Sequence, residues 1–298
     1  MTTDDRAPAS LDARRERFYT WPRTRRGGSY GWGRVVLGFV LVILGCAVIA
    51  VVAGSVLGMA TVGDGGAPTR PSPVMGTLQA ALPTALWGLV ALAVARFVFS
   101  MRPADLMSHL PGVRWGLLAT STALAFVVFA AMSAVQFALR GTTPRLDSAV
   151  LAALVAVVLI VPFQAVSEEL LFRALGTQML LGKIGVSTAK FWIVSLVLSL
   201  SFALLHAATN LPVLISLFCF GALFSFVAWK TAGIEAACGI HIANNVVFVA
   251  AGLLRGEDLG ATQSNATSAV LPLVAQFVIA LVVMVIALRL AARDKRTA

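Results

Sequence analysis

Long apolar segments recur along almost the whole chain, and they restrict it to one kind of architecture. A helix that crosses the hydrocarbon core of a bilayer needs roughly 20 mostly apolar residues. Segments that reach or approach this length lie at about 35–60, 78–99, 116–139, 148–181, 191–209, 211–229, 233–254 and 270–292. Only 12% of the residues are charged, whereas soluble domains carry roughly 25%. The sequence therefore predicts an all-α polytopic membrane protein of about eight transmembrane helices.

The basic residues follow a pattern that membrane topology explains. Eight spans place both termini on one side, and 18 of the 23 Lys and Arg residues then fall on that side, against four on the other. Loops that stay in the cytoplasm carry such an excess of Lys and Arg. We therefore predict an integral membrane protein of the cell (plasma) membrane with both termini cytoplasmic. The net charge of +10 reflects this topology, and we predict no nucleic-acid partner.

The positions of the apolar and basic residues divide the chain into three parts. Residues 1–33 are polar and rich in arginine, without the apolar run and small-residue cleavage site of a signal peptide. We predict that they form a disordered cytoplasmic tail. Residues 34–292 are predicted to form the transmembrane helical domain, and residues 293–298 a second cytoplasmic tail.

One short stretch, SEELLFR at 167–173, places two carboxylates inside an apolar segment. A charged side chain at the centre of a bilayer costs roughly 2.5–3.5 kcal/mol on insertion scales, so such residues usually have a partner or a function. Candidate partners lie in other apolar segments: His206, His241 and Asn245. If the segments that contain Glu168 and His206 form a hairpin that reverses near 187, these two residues lie at similar depths.

Helical spacing assigns different partners to the two carboxylates. Glu168 and Glu169 point about 100° apart around the helix, so they cannot both face one atom. Glu169 and Arg173 are four residues apart, which favours an ion pair on one face. Glu168 is then the freer carboxylate. His241 and Asn245 share a face by the same spacing.

Two kinds of chemistry are open to these side chains. Glu168 can act as a general base towards a water that His206 orients, while His241 and Asn245 donate hydrogen bonds to a developing oxyanion. Alternatively, Glu168, His206 and His241 can ligate a divalent ion such as Zn²⁺ and leave a position open for water. Both schemes activate water to hydrolyse an amide in the membrane, and we consider them equally. Asparagine is a rare zinc ligand, which slightly favours the metal-free glutamate mechanism.

Three motifs, in order along separate apolar segments, resemble those of the CPBP family of intramembrane proteases. They are Glu168-Glu169-x-x-x-Arg173, Phe202-x-x-x-His206 and His241-x-x-x-Asn245. This family, also called Abi, includes the CAAX prenyl endopeptidases, and the resembling core spans about 148–254. The resemblance implies catalytic roles for Glu168, Glu169, His206, His241 and Asn245, with Arg173 and Phe202 in support.

By resemblance, the protein is expected to be an intramembrane endopeptidase of the CAAX prenyl protease type, in a family often described as metalloproteases. Its expected partners are membrane lipid and a membrane-associated peptide or protein substrate. Two alternatives remain. One is a non-proteolytic immunity or binding scaffold of the same family. The other is a proton-coupled carrier, which would be expected to show repeat symmetry between its halves.

Overall fold

The computed structural model describes residues 10–62, 70–207 and 210–257, together with residues 281, 285 and 289. Its long α-helices are α3 (Trp32–Met59), α4 (Pro73–Phe99), α6 (Trp115–Arg140), α7 (Ser148–Glu169), α9 (Thr188–Leu205), α10 (Leu211–Thr231) and α11 (Glu235–Leu254). Shorter helices are α1 (Leu11–Tyr19), α2 (Trp21–Arg25), α5 (Pro103–Met107) and α8 (Thr177–Ile184). A π-helical segment, Leu170–Gly176, joins α7 to α8.

Seven of the described helices are long and apolar enough to cross a membrane, when α7, the π-helix and α8 are counted as one. The prediction of an all-α polytopic membrane protein is confirmed. The eighth predicted span, 270–292, lies almost entirely outside the described residues, as does the predicted tail 293–298.

The helix that carries Glu168 and Glu169 runs from 148 to 184 and is called the central helix below. Its α7 part packs against both α4 and α11. Small residues permit the close approach to α4. A Cβ added to Gly88 would lie 2.5 Å from the Ser167 hydroxyl oxygen, and that hydroxyl donates a 2.7 Å hydrogen bond to the Ala85 carbonyl. This contact fixes the helix one residue before Glu168.

The continuous helix from 148 to 184 contains 37 residues, a length of roughly 55 Å at 1.5 Å per residue. It extends past 181, where the apolar pattern ends. Its π-helical turn begins directly after Glu169, and the Thr177 hydroxyl donates to the carbonyl five residues earlier, at Phe172, over 2.8 Å. π-Helical segments within α-helices occur often at functional sites.

The predicted disorder of the arginine-rich tail is wrong for residues 11–25, which form helices α1 and α2. Phe18 and Tyr19 are completely buried. The Arg25 guanidinium makes two hydrogen bonds, of 2.7 and 2.6 Å, to the buried Asp105 carboxylate. Aromatic residues alternate with the arginines here, so the segment has enough apolar surface to fold onto the bundle. Residues 1–9 lie outside the described part of the chain.

At the same end of the bundle, the segment before α6 is held by a buried ion pair. Arg114 binds the Glu235 carboxylate at 2.9 and 2.6 Å and donates to the Thr231 carbonyl. His109, which is 3% exposed, lies 3.0 Å from the Ala232 carbonyl through Nδ1. Burial, together with the nearby Arg114 charge, lowers the pKa of His109 to about 4.

Candidate active site

The ion pair expected from helical spacing lies at the start of the π-helical turn. Arg173 Nη1 is 3.1 Å from Glu169 Oε1, and the two side chains are 1% and 0% exposed. The Arg173 guanidinium also lies 4.4 Å from the ring centre of Phe202 and 5.5 Å from that of Phe224. Ring faces attract cations, so the aromatic side chains supply part of the stabilisation that water would otherwise give.

His241 lies between the two carboxylates of the motif. Its Nδ1 is 2.8 Å from Glu169 Oε1, and its Nε2 is 3.3 Å from Glu168 Oε2. Adjacent residues on a helix point in different directions, as expected, yet one imidazole reaches both because its two nitrogens face opposite ways. The ring also stacks on Phe224, with centroids 4.7 Å apart. The structure thus brings Glu168, Glu169 and His241 into one group.

Asn245 joins this group through its amide. Its Nδ2 lies 3.1 Å from His241 Nε2 and 3.0 Å from the side-chain oxygen of Gln164. Its Oδ1 accepts a 2.9 Å hydrogen bond from Asn244. Neither Gln164 nor Asn244 was predicted from the sequence to belong to the site. The available signal for Gln164 was its position four residues before Glu168, which places both side chains on one helical face.

A cavity of about 160 Å³ lies beside Glu168. Residues from α4, from the central helix and from α9 line it: Ala80, Thr84, Trp87, Gln164, Glu168, Phe172, Phe202, Leu205 and His206. Glu168 and His206 therefore border one space, which agrees with the depths expected from a hairpin. The lining residues do not include His241 or Asn245. Such a volume has room for several water molecules, at roughly 30 Å³ each.

The hydrogen bond of His206 shows which of its two ring nitrogens carries the hydrogen. Nδ1 lies 2.8 Å from the Phe202 carbonyl oxygen, and a carbonyl can only accept, so Nδ1 carries the hydrogen. In the neutral ring Nε2 is then an acceptor. The Phe202 ring also packs edge-on against His206, at 4.6 Å between centroids. Phe202 therefore contacts both Arg173 and His206, and its backbone orients the imidazole.

The proposed metal ligands do not form a recognisable metal site. Within the described ranges, no group of three His, Cys, Asp or Glu side chains is arranged to hold a metal ion. Of the three proposed ligands, Glu168 and His241 are in contact, and the imidazole of that pair also contacts Glu169 and Asn245. This donor set does not fit the three-ligand zinc site of the second scheme that the sequence left open.

Part of the chain matches a known protein family. Residues 148–247 match the family model described as type II CAAX prenyl endopeptidase Rce1-like. The matched range contains all three motifs, and it confirms the resemblance to the CPBP and CAAX protease family inferred from them. No curated protein and no solved structure matches the chain.

Proposed function

We propose, from the premise that residues 148–247 form an Rce1-like CAAX prenyl endopeptidase domain, that the protein is an intramembrane endopeptidase. It hydrolyses a peptide bond in a membrane-associated protein or peptide, and Glu168 is the general base. One observation carries the proposal: Glu168 and His206 border the same cavity, while Glu169 is paired with Arg173 and His241. Of the two carboxylates, Glu168 is the one that lines this cavity.

The first step is attack by that water. The water donates one hydrogen to the Glu168 carboxylate and the other to Nε2 of His206, which leaves an oxygen lone pair for the substrate carbonyl carbon. As the new C–O bond forms, Glu168 takes the proton and the carbonyl electrons move to the oxygen. The C–N bond then breaks as the amine nitrogen receives that proton, giving a carboxylic acid and an amine.

His241 stabilises the proton in transit. Its Nε2 lies 3.3 Å from Glu168 Oε2, so a proton accepted by Glu168 can be shared with the imidazole. The family resemblance implies that Asn245, and His241 when its ring is protonated, donate to the oxyanion. The Asn245 hydrogens point at Gln164 Oε1 and His241 Nε2 in the substrate-free protein, and one of them is proposed to turn to the oxyanion as it forms. Donors of this kind are worth about 10²–10³-fold in rate.

Membrane insertion determines where this reaction takes place. The integral membrane character follows from the seven apolar helices. We propose that the membrane is the plasma membrane and that both termini are cytoplasmic, on the basis of the distribution of Lys and Arg. The arginine-rich helices α1 and α2 then lie at the cytoplasmic surface, next to anionic lipid headgroups. Lipid and a membrane-associated substrate are the proposed partners.

The proposal is tested by comparing native membranes that contain either the wild-type protein or Glu168→Gln. New peptide termini, identified by mass spectrometry of the membrane proteome, are expected with the wild type and absent with the variant. Glu16→Gln, at an exposed position of α1, is the matched control and keeps the wild-type pattern. If all three membranes give the same termini, the protein is not a protease, and the scaffold alternative is favoured.

A further inference from the structure

Gln164 is a polar side chain inside a membrane span that the proposed reaction does not use. It lies one helical turn before Glu168 and borders the same cavity. Its side-chain oxygen accepts a 3.0 Å hydrogen bond from Nδ2 of Asn245, on the neighbouring helix α11. A polar side chain inside a membrane span costs free energy unless it is hydrogen-bonded. The contact with Asn245 supplies a hydrogen bond to Gln164.

The contact determines how the Asn245 amide is oriented. Nδ2 has two hydrogens, and two acceptors lie within reach: Gln164 Oε1 at 3.0 Å and His241 Nε2 at 3.1 Å. The amide oxygen accepts from Asn244 on the other side. If the Asn245 amide were turned over, its oxygen would face the Gln164 oxygen and its NH2 would face the Asn244 NH2, unless both neighbouring amides turned over as well.

A carboxylate faces each nitrogen of His241, Glu169 at Nδ1 and Glu168 at Nε2, so the orientation of Asn245 biases which of the two nitrogens carries the hydrogen. Nδ1 faces the Glu169 carboxylate at 2.8 Å, so this nitrogen donates. The neutral ring then has a lone pair at Nε2, and the Asn245 hydrogen points at that lone pair. A turned-over amide would instead present an oxygen to Nε2 and would favour a hydrogen there. Tautomers of histidine are commonly fixed by such neighbouring hydrogen bonds.

We propose that Gln164 is a positioning residue that acts through Asn245. It holds the Asn245 amide in the orientation that keeps His241 in its Nδ1–H form, so that Nε2 donates no hydrogen to Glu168 and leaves that carboxylate free to take a proton. The proposal rests on the proposed function for its catalytic consequence, because the proton held at Glu168 is the proton of the attacking water. The arrangement of hydrogens that it specifies is a property of the folded protein, with or without substrate.

Nitrogen NMR of the intact protein in detergent micelles tests that arrangement. The chain contains three histidines, so ¹⁵N-labelled histidine gives few signals, and His109 and His206 serve as internal references. Gln164→Leu replaces the glutamine with a side chain of similar size that has no hydrogen-bond acceptor. It is expected to change the His241 ring signals from the Nδ1–H pattern towards a mixture of tautomers, while both references keep their wild-type signals. Gln164→Glu keeps an oxygen acceptor and is expected to preserve the pattern.

The matched control is Gln79→Leu, which also removes an amide from a membrane helix. Gln79 donates a 3.2 Å hydrogen bond to the Leu57 carbonyl and is not among the cavity-lining residues. It is expected to leave all three histidine patterns unchanged. Wild-type His241 signals in Gln164→Leu would overturn the proposal, and so would an equal change in the Gln79 variant.

Kinetics test the catalytic consequence separately. Gln164→Leu is expected to lower kcat about five- to tenfold, the equivalent of roughly one hydrogen bond, with little change in KM. Combined with Asn245→Ala, it is expected to add no further loss, because Gln164 acts through Asn245. Losses that multiply would contradict this pathway. If the wild type cleaves no substrate, the proposed function is wrong, whereas the NMR result still decides the role of Gln164.

Discussion

Arg173 offers the clearest test of how the membrane interior accommodates two adjacent carboxylates. Replacement by methionine keeps most of the side-chain length and removes the charge. Glu169, which is completely buried, then loses the cation 3.1 Å away and keeps only the 2.8 Å contact with His241. The guanidinium also leaves the ring of Phe202, 4.4 Å away.

The size of the effect follows from these contacts. Removing one partner of a buried ion pair typically costs 3–5 kcal/mol, because the other charge is left uncompensated. A cation over an aromatic ring adds about 0.5–2 kcal/mol. The remaining hydrogen bond from His241 reduces the loss, so we expect Arg173→Met to lower the free energy of unfolding by about 3 kcal/mol.

Unfolding in mixed micelles with increasing SDS, followed by tryptophan fluorescence, measures this difference. Arg140→Met, at the exposed end of α6, is the control and is expected to change stability by less than about 0.5 kcal/mol. The double variant Glu169→Gln/Arg173→Met removes both charges and is expected to be more stable than Arg173→Met alone. A loss below about 1 kcal/mol in Arg173→Met, or strictly additive losses in the double variant, would refute the reasoning.

Three further predictions concern pH, metal and topology. Because burial lowers the pKa of His109 to about 4, below its unfolded value of about 6.5, the unfolded state takes up the proton first. Stability is expected to fall from pH 6.5 towards 4, by up to about 1.4 kcal/mol per pH unit from this group, and less steeply in His109→Asn. Chelators are expected to leave the rate of proteolysis unchanged, whereas His241→Ala is expected to lower it about 10²–10³-fold. Stoichiometric zinc in the purified protein, lost and restored together with activity, would contradict this prediction. Reporter fusions after Ala298 and within 61–76 are expected on opposite sides of the membrane, with Ala298 cytoplasmic; an extracytoplasmic C-terminus would contradict the proposed topology.

Local spacing was sufficient to predict part of the site. The contact between Glu169 and Arg173 follows from the four-residue helical repeat and is present in the structure. Glu168 and His206, expected at similar depths from a hairpin, border one cavity. These predictions succeed because they depend on the geometry of single helices and of neighbours along the chain.

Contacts between helices that are far apart along the chain could not be predicted from the sequence. The approach of His241 to both carboxylates depends on the rotation of α11 against the central helix, which hydrophobic periodicity does not specify. The π-helical turn 170–176 has the same apolar pattern as an α-helix. The many arginines of the N-terminal segment suggested disorder. The segment is folded because its aromatic residues Phe18 and Tyr19 are buried against the bundle. Gln164 was missed because its partner, Asn245, is 81 residues away.

The central claim, that Glu168 activates a water for peptide-bond hydrolysis, is tested most directly with isotopic oxygen. A membrane-anchored peptide that spans an identified cleavage site is incubated with the purified protein in H₂¹⁸O, and the products are weighed by mass spectrometry. We predict that one ¹⁸O enters the new carboxyl terminus with the wild type, and that Glu168→Gln yields no product above the uncatalysed background. Cleavage by Glu168→Gln at the wild-type rate, or a wild-type product without ¹⁸O, would contradict the account.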